Sequence, residues 1–150
     1  MAVHPMLQLQ LVTLLGQKMD EEVYEVILPT VTGEISVFPG HEPLVSLAAP
    51  GVIAVRRKKT DPDGAMEYFA TSGGIIEVDP DRVRVLVDEA DHGDDIIEAE
   101  SQKALERALK MRDDAADQVE LEKATQLIDR HQTRLKVAGI RRHQGKTRFK

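Results

Sequence analysis

The sequence predicts a β-plus-α protein: an N-terminal antiparallel β-sandwich, or flattened barrel, followed by a C-terminal antiparallel two-helix hairpin. Three observations carry this. Up to about residue 90, short apolar runs recur at near-regular spacing with turn residues between them. No helical period separates those runs, so the crossover connections that parallel strands need are missing. Beyond the acidic stretch DEADHGDD at 88–95, the apolar period changes from two to threes and fours. The expected division is 1–90 for the sandwich, 91–140 for the hairpin and 141–150 for a basic, disordered tail.

Leu7, Leu9 and Leu11 alternate with Gln8 and Gln10, the period of a half-buried strand. A second strand is expected over Val23 to Leu28, stopped by Pro29, and a third over Ile35 to Phe38. Pro39 and Gly40 then turn the chain, because proline fixes φ and lacks an N–H. The result is a stiff loop, Pro-Gly-His-Glu-Pro, carrying His41 and Glu42 at a sheet end. A short strand over Leu44 to Leu47 and a turn at Ala49-Pro50-Gly51 follow, then a strand over Val52 to Arg57. The basic run Arg56-Arg57-Lys58-Lys59 meets Asp-Pro-Asp-Gly and is expected to be a solvated hairpin tip. Met66 to Thr71 returns as a strand. Ser72-Gly73-Gly74 enters the next one, Ile75 to Val78, and paired glycines there suit a bulge or a close backbone approach. Val83, Val85 and Val87 close the series.

Residues 88–95 are expected to be a linker, with Asp94 and Asp95 at the start of helix one, where carboxylates suit free N–H groups. Ile97, Ala104, Leu105, Ala108 and Met111 form one apolar stripe. Leu121, Ala124, Ile128, His131, Leu135 and Ala138 form the facing one, a narrow seam between antiparallel helices. Such a pair buries little surface, so it is expected to be held more weakly than the sandwich. Arg141 and Arg142 complement a helix C-terminus without needing partners.

Composition narrows the function. Only 3% of the 150 residues are aromatic, so the core is aliphatic and stacking platforms for single-stranded nucleic acid are scarce. A net charge of −6 argues against phosphate-backbone binding, so no nucleic-acid partner is expected. The absence of cysteine excludes disulfides and thiolate chemistry. No apolar run reaches the roughly 20 residues of a membrane span, so any membrane association is expected through partners. His41, Glu42, Asp88 and His92 are the one set arguable as a metal site, yet no pair of them has ligand spacing on one face, and no metal is expected. No nucleophile triad or phosphate loop is present, and His131 falls on the helical seam as a packing residue. The residues indicate a binding or mechanical module with no cofactor. Its rivals are a free-standing small-ligand sensor and a metal-dependent hydrolase using His41 and Asp88.

Two long stretches, GEISVFPGHEPLVSLAAPGVIAV from Gly33 and SGGIIEVDPDRVRVLVDEA from Ser72, resemble the epsilon subunit family of rotary F-type ATP synthases. The Gly-Glu turn, the Pro-Gly-His-x-Pro-Leu loop, the Ser-Gly-Gly strand entry and the closing Val-x-Val-Leu strand stand in the family's order, and the likeness runs from about Leu7 to Arg142. The resemblance implies a sandwich seated against the gamma subunit and the ring of c subunits. It also implies a hairpin able to extend toward the catalytic head and brake ATP hydrolysis. It implies a non-catalytic rotor part of a proton-translocating enzyme, at the cytoplasmic face of the cell membrane. Glu34 and His41 are the positions it assigns to the c ring. Several bacterial members bind ATP through Ile/Leu-Asp-x-x-Arg-Ala at the start of helix one. Here an ungapped match puts Ile97 at the Asp position and Glu100 at the Arg position, and a shift of one residue puts Glu98 and Ser101 there; either way the cation is absent, so ATP is expected to bind weakly or not at all.

Overall fold

The computed structural model describes residues 5–148, with the backbone alone over 145–148. Residues 1–4 of the expected sandwich range and 149–150 of the expected tail lie outside the described residues. Ten strands come first: β1 (Leu7–Thr13), β2 (Gly16–Val23), β3 (Glu25–Thr30), β4 (Gly33–Val37), β5 (Leu44–Ala48), β6 (Gly51–Arg56), β7 (Glu67–Thr71), β8 (Gly74–Asp79), β9 (Arg82–Val87) and β10 (Ala90–His92). Two helices follow, α1 (Glu98–Asp113) and α2 (Gln118–Arg148).

The strands form two layers. One holds β10, β7, β6, β3 and β4; the other holds β5, β8, β9, β1 and β2. They join where Thr30 of β3 pairs with Ala48 of β5. Strand alternation sends one set of side chains inward, among them Leu9, Leu11, Leu28, Val55, Ile76, Val83 and Val85, all essentially inaccessible. Phe69 is the one ring in this aliphatic core.

Pro29 does not stop its strand. Its carbonyl accepts from Ala49 N at 3.0 Å, on the side where β3 exchanges β6 for β5 as neighbour. A strand residue's N–H and C=O point the same way, so proline's missing donor falls in that exchange and breaks no ladder bond. Gly74 answers the expectation of a close approach: a Cβ there would lie 2.0 Å from the Leu86 carbonyl oxygen on β9.

Further expectations need correction. β2 was not foreseen, because GQKMDEEV buries only Met19 and Val23. One pairing is parallel: β1 runs alongside β9, with Leu9 beside Val83 and Leu11 beside Val85. The linker at 88–95 contains β10, paired antiparallel with β7, and a 3-10 turn over Gly93–Asp95. Asp94 and Asp95 therefore precede α1 rather than cap it, and α1 begins without a side-chain cap. The basic segment from Arg141 is not an unstructured tail; α2 runs through it to Arg148, because the segment lies against the sandwich and the turn at Gly93, as described below.

The turn between the helices is built by its own acids. Asp117 Oδ1 accepts from Glu120 N at 2.8 Å, and Glu120 Oε2 reaches back to Ala116 N at 2.8 Å. The first bond satisfies an N–H that the first turn of α2 leaves free, and the second ties the segment before the helix to that turn. Ala108, Ala124, Ile128 and Ala138 are buried along the hairpin, while Ile97, Met111 and Leu121 are exposed, so the seam is shorter than the full stripe.

Candidate functional site

The two outer faces of the sandwich differ. On the first layer, Ala54 and Ala70 point away from the inner core yet are buried, because α2 lies across β6 and β7. Their small side chains let the helix axis come close. On the second layer no element among the described residues covers the outer face. Leu47, Ile75 and Leu86 stand in one cross-strand row on β5, β8 and β9, and are 59%, 43% and 36% exposed. Val45, on β5, is 74% exposed. An apolar row of this kind, bare on a sheet face, marks a surface that meets another molecule.

On the first layer, β4 is an edge strand paired only with β3 among the described residues. Glu34 lies exposed near its start. His41 lies half-buried in the loop beyond its other end. The loop is rigid: Gly40 takes a positive φ of 87°, its N–H donates to the Pro80 carbonyl at 2.7 Å, and His41 N donates to the Phe38 carbonyl. The His41 ring sets Nδ1 2.6 Å from the Glu42 carbonyl oxygen, which only accepts, so Nδ1 carries the hydrogen. Phe38 meets the Tyr24 ring edge-on, with centroids 5.7 Å apart.

The hydrolase alternative loses its geometry here. The His41 loop is tied to Pro80, just before β9, whereas Asp88 follows the far end of β9 and accepts from Leu14 N. The two residues sit at opposite ends of the sandwich. Among the described residues, no three of His, Asp and Glu converge as metal ligands. The two arginines of the basic run are paired locally. Arg56 holds Glu25 at 2.9 Å and Asp63 at 2.5 Å, while Arg57 bridges Glu67 and Glu21. Burial works to raise the Glu67 carboxyl, but the hydrogen bond and charge of Arg57, with His92, leave it below the usual carboxylate range.

The hairpin is fastened to the sandwich by three arginines on one side of α2. Arg130 Nε lies 2.8 Å from Glu89. Arg134 places Nε and Nη2 at 2.8 and 2.7 Å from Asp91 Oδ2. Arg141 pairs with Asp94 and donates to the Gly93 carbonyl at 2.7 Å. Arg142 lies 3.4 Å from Glu98, so neither Arg141 nor Arg142 serves the helix end alone. Gly93 is where α2 crosses closest: an added Cβ would lie 2.6 Å from Arg141 Cδ and 3.1 Å from Val137 Cγ1. Nothing in the spacing of Glu89, Asp91 and Asp94 announces this latch. The one available signal is the 4- and 7-residue interval of arginines along a helix opposite an acidic strand.

Between α1, α2 and β10 lies an open cleft of about 340 Å³. Ile97 and Glu100 line it, with Arg107, His131 and Arg134. Both positions at which the sequence departs from the nucleotide motif thus face the same cleft. His131 is 9% exposed, and its Nδ1 is buried with no hydrogen-bond partner. Burial first, then the guanidinium groups of Arg134, Arg130 and Arg107, push its pKa below the ordinary imidazole value, against a weaker pull from Asp91.

Residues 6–93 match the pattern of the family described as ATP synthase, Delta/Epsilon chain, beta-sandwich domain. The chain is 34% identical over 137 residues to the ATP synthase epsilon chain of Herpetosiphon aurantiacus, covering 91% of this chain and 97% of that one. It is 35% identical over 123 residues to that of Rippkaea orientalis, covering 80% and 87%. It is 32% identical over 133 residues to that of Moorella thermoacetica, covering 89% and 96%. In fold it is similar to a chain of the Euglena gracilis mitochondrial ATP synthase (OSCP/F1/c-ring), with a TM-score of 0.76, 23% identity, and coverage of 92% of this chain and 84% of that one.

Proposed function

The chain belongs to the ATP synthase epsilon-chain family, and from that premise we propose that its sandwich grips the rotating shaft while its hairpin restrains ATP hydrolysis. The chain is a non-catalytic rotor subunit of an F-type ATP synthase. Its part is to couple rotation of the c ring and gamma subunit to ATP synthesis done on other subunits.

The observation that carries the reading is the bare row of Leu47, Ile75 and Leu86, on the face opposite the hairpin. Gamma docks on this row, because apolar area is the main source of association energy. Glu34 and His41 meet the polar loops of the c ring along the β4 edge. An exposed ion pair there is worth about 0–1 kcal/mol, so it sets register more than affinity. With the docking face and the hairpin on opposite sides, the hairpin can leave the sandwich without loosening the grip. Extended, it reaches the catalytic head. Among the described residues no helix is long and apolar enough to cross a membrane. Attachment through the c ring puts the subunit at the cytoplasmic face of the cell membrane.

Co-purification with gamma and c subunits tests the reading. The intact chain is expected to bring both down, and Ile75→Asp together with Leu47→Asp is expected to lose gamma while the fold survives. Retention of gamma by that double variant sinks the assignment of the face. Deletion of residues 95–150 is expected to leave assembly intact and to raise ATP hydrolysis or leave it unchanged.

A further inference from the structure

We propose that His131 is an acid-sensitive trigger, whose protonation inside the cleft between α1, α2 and β10 releases the hairpin from the sandwich. This deepens the regulatory reading above and rests on it for its consequence in the enzyme, but not for the intramolecular event itself.

The argument is geometric. His131 sits on α2 midway along the latch, with Arg130 and Arg134 on its own helix. Across from it, α1 contributes Arg107, and β10 contributes Asp91. The cleft also contains Lys103 and Glu100 from α1 and Asp95 from the preceding turn. The ring is neutral when docked: one nitrogen, Nδ1, is buried with no acceptor to hold a second hydrogen. A proton placed there meets three guanidinium groups, and the carboxylate of Asp91 is already engaged by two nitrogens of Arg134. Charging the ring inside the cleft is therefore opposed by burial and by like charge. Once the hairpin leaves, the ring meets water and takes its proton freely.

The sign follows from linkage. The docked state binds the proton less readily than the released state, in keeping with the lowered pKa of His131. Docking is thus fully supported above the released-state value of about 6.5 and weakens as pH falls through it, reaching its limit below the docked-state value.

The chain has no cysteine, so Lys59→Cys and Glu122→Cys place one dye on the sandwich and one on the hairpin. Energy transfer is read on the full chain from pH 7.5 to pH 5.5, in enough urea to release half the hairpins at pH 7.5. The ratio of docked to released hairpin is expected to fall severalfold on acidification and to stay flat in His131→Gln. A fall of equal size in His131→Gln, or no fall in the parent chain, overturns the proposal. Should His131→Gln not dock, the ring resonances of His131 in the unsubstituted chain decide. Titration below the free-imidazole value of about 6.5 supports the trigger, and titration at or above it overturns it. Acid release in the chain without any change in ATP hydrolysis by the assembled enzyme would sink the inhibitory reading alone. Absence of acid release in the chain, with hydrolysis still raised by deletion of residues 95–150, would sink the trigger alone.

Discussion

Arg134 and Asp91 meet across the junction of hairpin and sandwich, two guanidinium nitrogens converging on one carboxylate oxygen at 2.7 and 2.8 Å. Both side chains are largely shielded, 21% and 29% accessible, so this pair is screened less than a surface one. Removing one partner also strands the other. Asp91→Asn is expected to weaken docking by about 1–2 kcal/mol, or about 5–30-fold in the docked-to-released ratio. Energy transfer across the junction measures it. Adding Arg134→Gln to Asp91→Asn should recover part of the loss, since no unpaired charge remains. Additive losses would show that the two do not interact.

Gly93 tests the same junction by shape instead of charge. Gly93→Ala drives a methyl group into Arg141 Cδ and Val137 Cγ1. The arginine can swing aside, but valine on a packed helix cannot, so α2 must lift near its C-terminal end. The expected result is faster amide exchange in α2 and in the Gly93 turn, with exchange in β8 and β9 unchanged. Loss of protection throughout the sandwich would show that docking and the strand core are one unit.

Gly74 lies in the other unit. Its absent Cβ leaves room for the Leu86 carbonyl, and backbone on a paired strand cannot retreat. Gly74→Ala is expected to destabilise the sandwich by about 1–3 kcal/mol, which for about 90 ordered residues lowers Tm by roughly 4–8 °C per kcal/mol. Calorimetry on the full chain reads this directly. An unchanged Tm would mean that β8 and β9 can separate locally without cost.

Glu100 in the interhelical cleft opposes a bound polyphosphate, and Ile97 offers no carboxylate there. The isolated chain is expected to bind ATP weakly or not at all by titration calorimetry. Restoring the motif with Ile97→Asp and Glu100→Arg is expected to tighten ATP binding by at least tenfold, the value of about 1.4 kcal/mol for one charge-assisted hydrogen bond gained. Micromolar affinity in the unsubstituted chain would refute the expectation.

The sandwich was legible where burial is one-sided. Leu7, Leu9 and Leu11 announce β1 because every second residue meets the core. β2 is silent because it is an edge strand whose long polar side chains stay in water, leaving Met19 and Val23 as its entire apolar signal. β10 is only three residues long, and the charges of β10 and of the turn after it serve α2, more than forty positions away: Asp91 to Arg134, and Asp94 to Arg141. Ion pairs over that separation leave no local period to read. For the same reason Arg141 looked self-sufficient at a helix end until the fold supplied Asp94. His131 was legible as a seam residue, yet its unpartnered nitrogen depends on which groups three separate elements bring around it. The apolar row was hidden in plain alternation, since Ile75 and Leu86 read as ordinary strand residues and only the empty face opposite the hairpin sets them apart.

The parallel seam between β1 and β9 has a consequence during synthesis. Gln8 is aligned with Arg82, 74 positions later, so β1 lacks one flank until nearly the whole sandwich has emerged from the ribosome. At 5–20 residues per second that wait lasts about 4–15 s. Throughout it, the nascent Leu7-Leu9-Leu11 edge is shielded by β2 alone, and a trigger-type chaperone has its clearest target there.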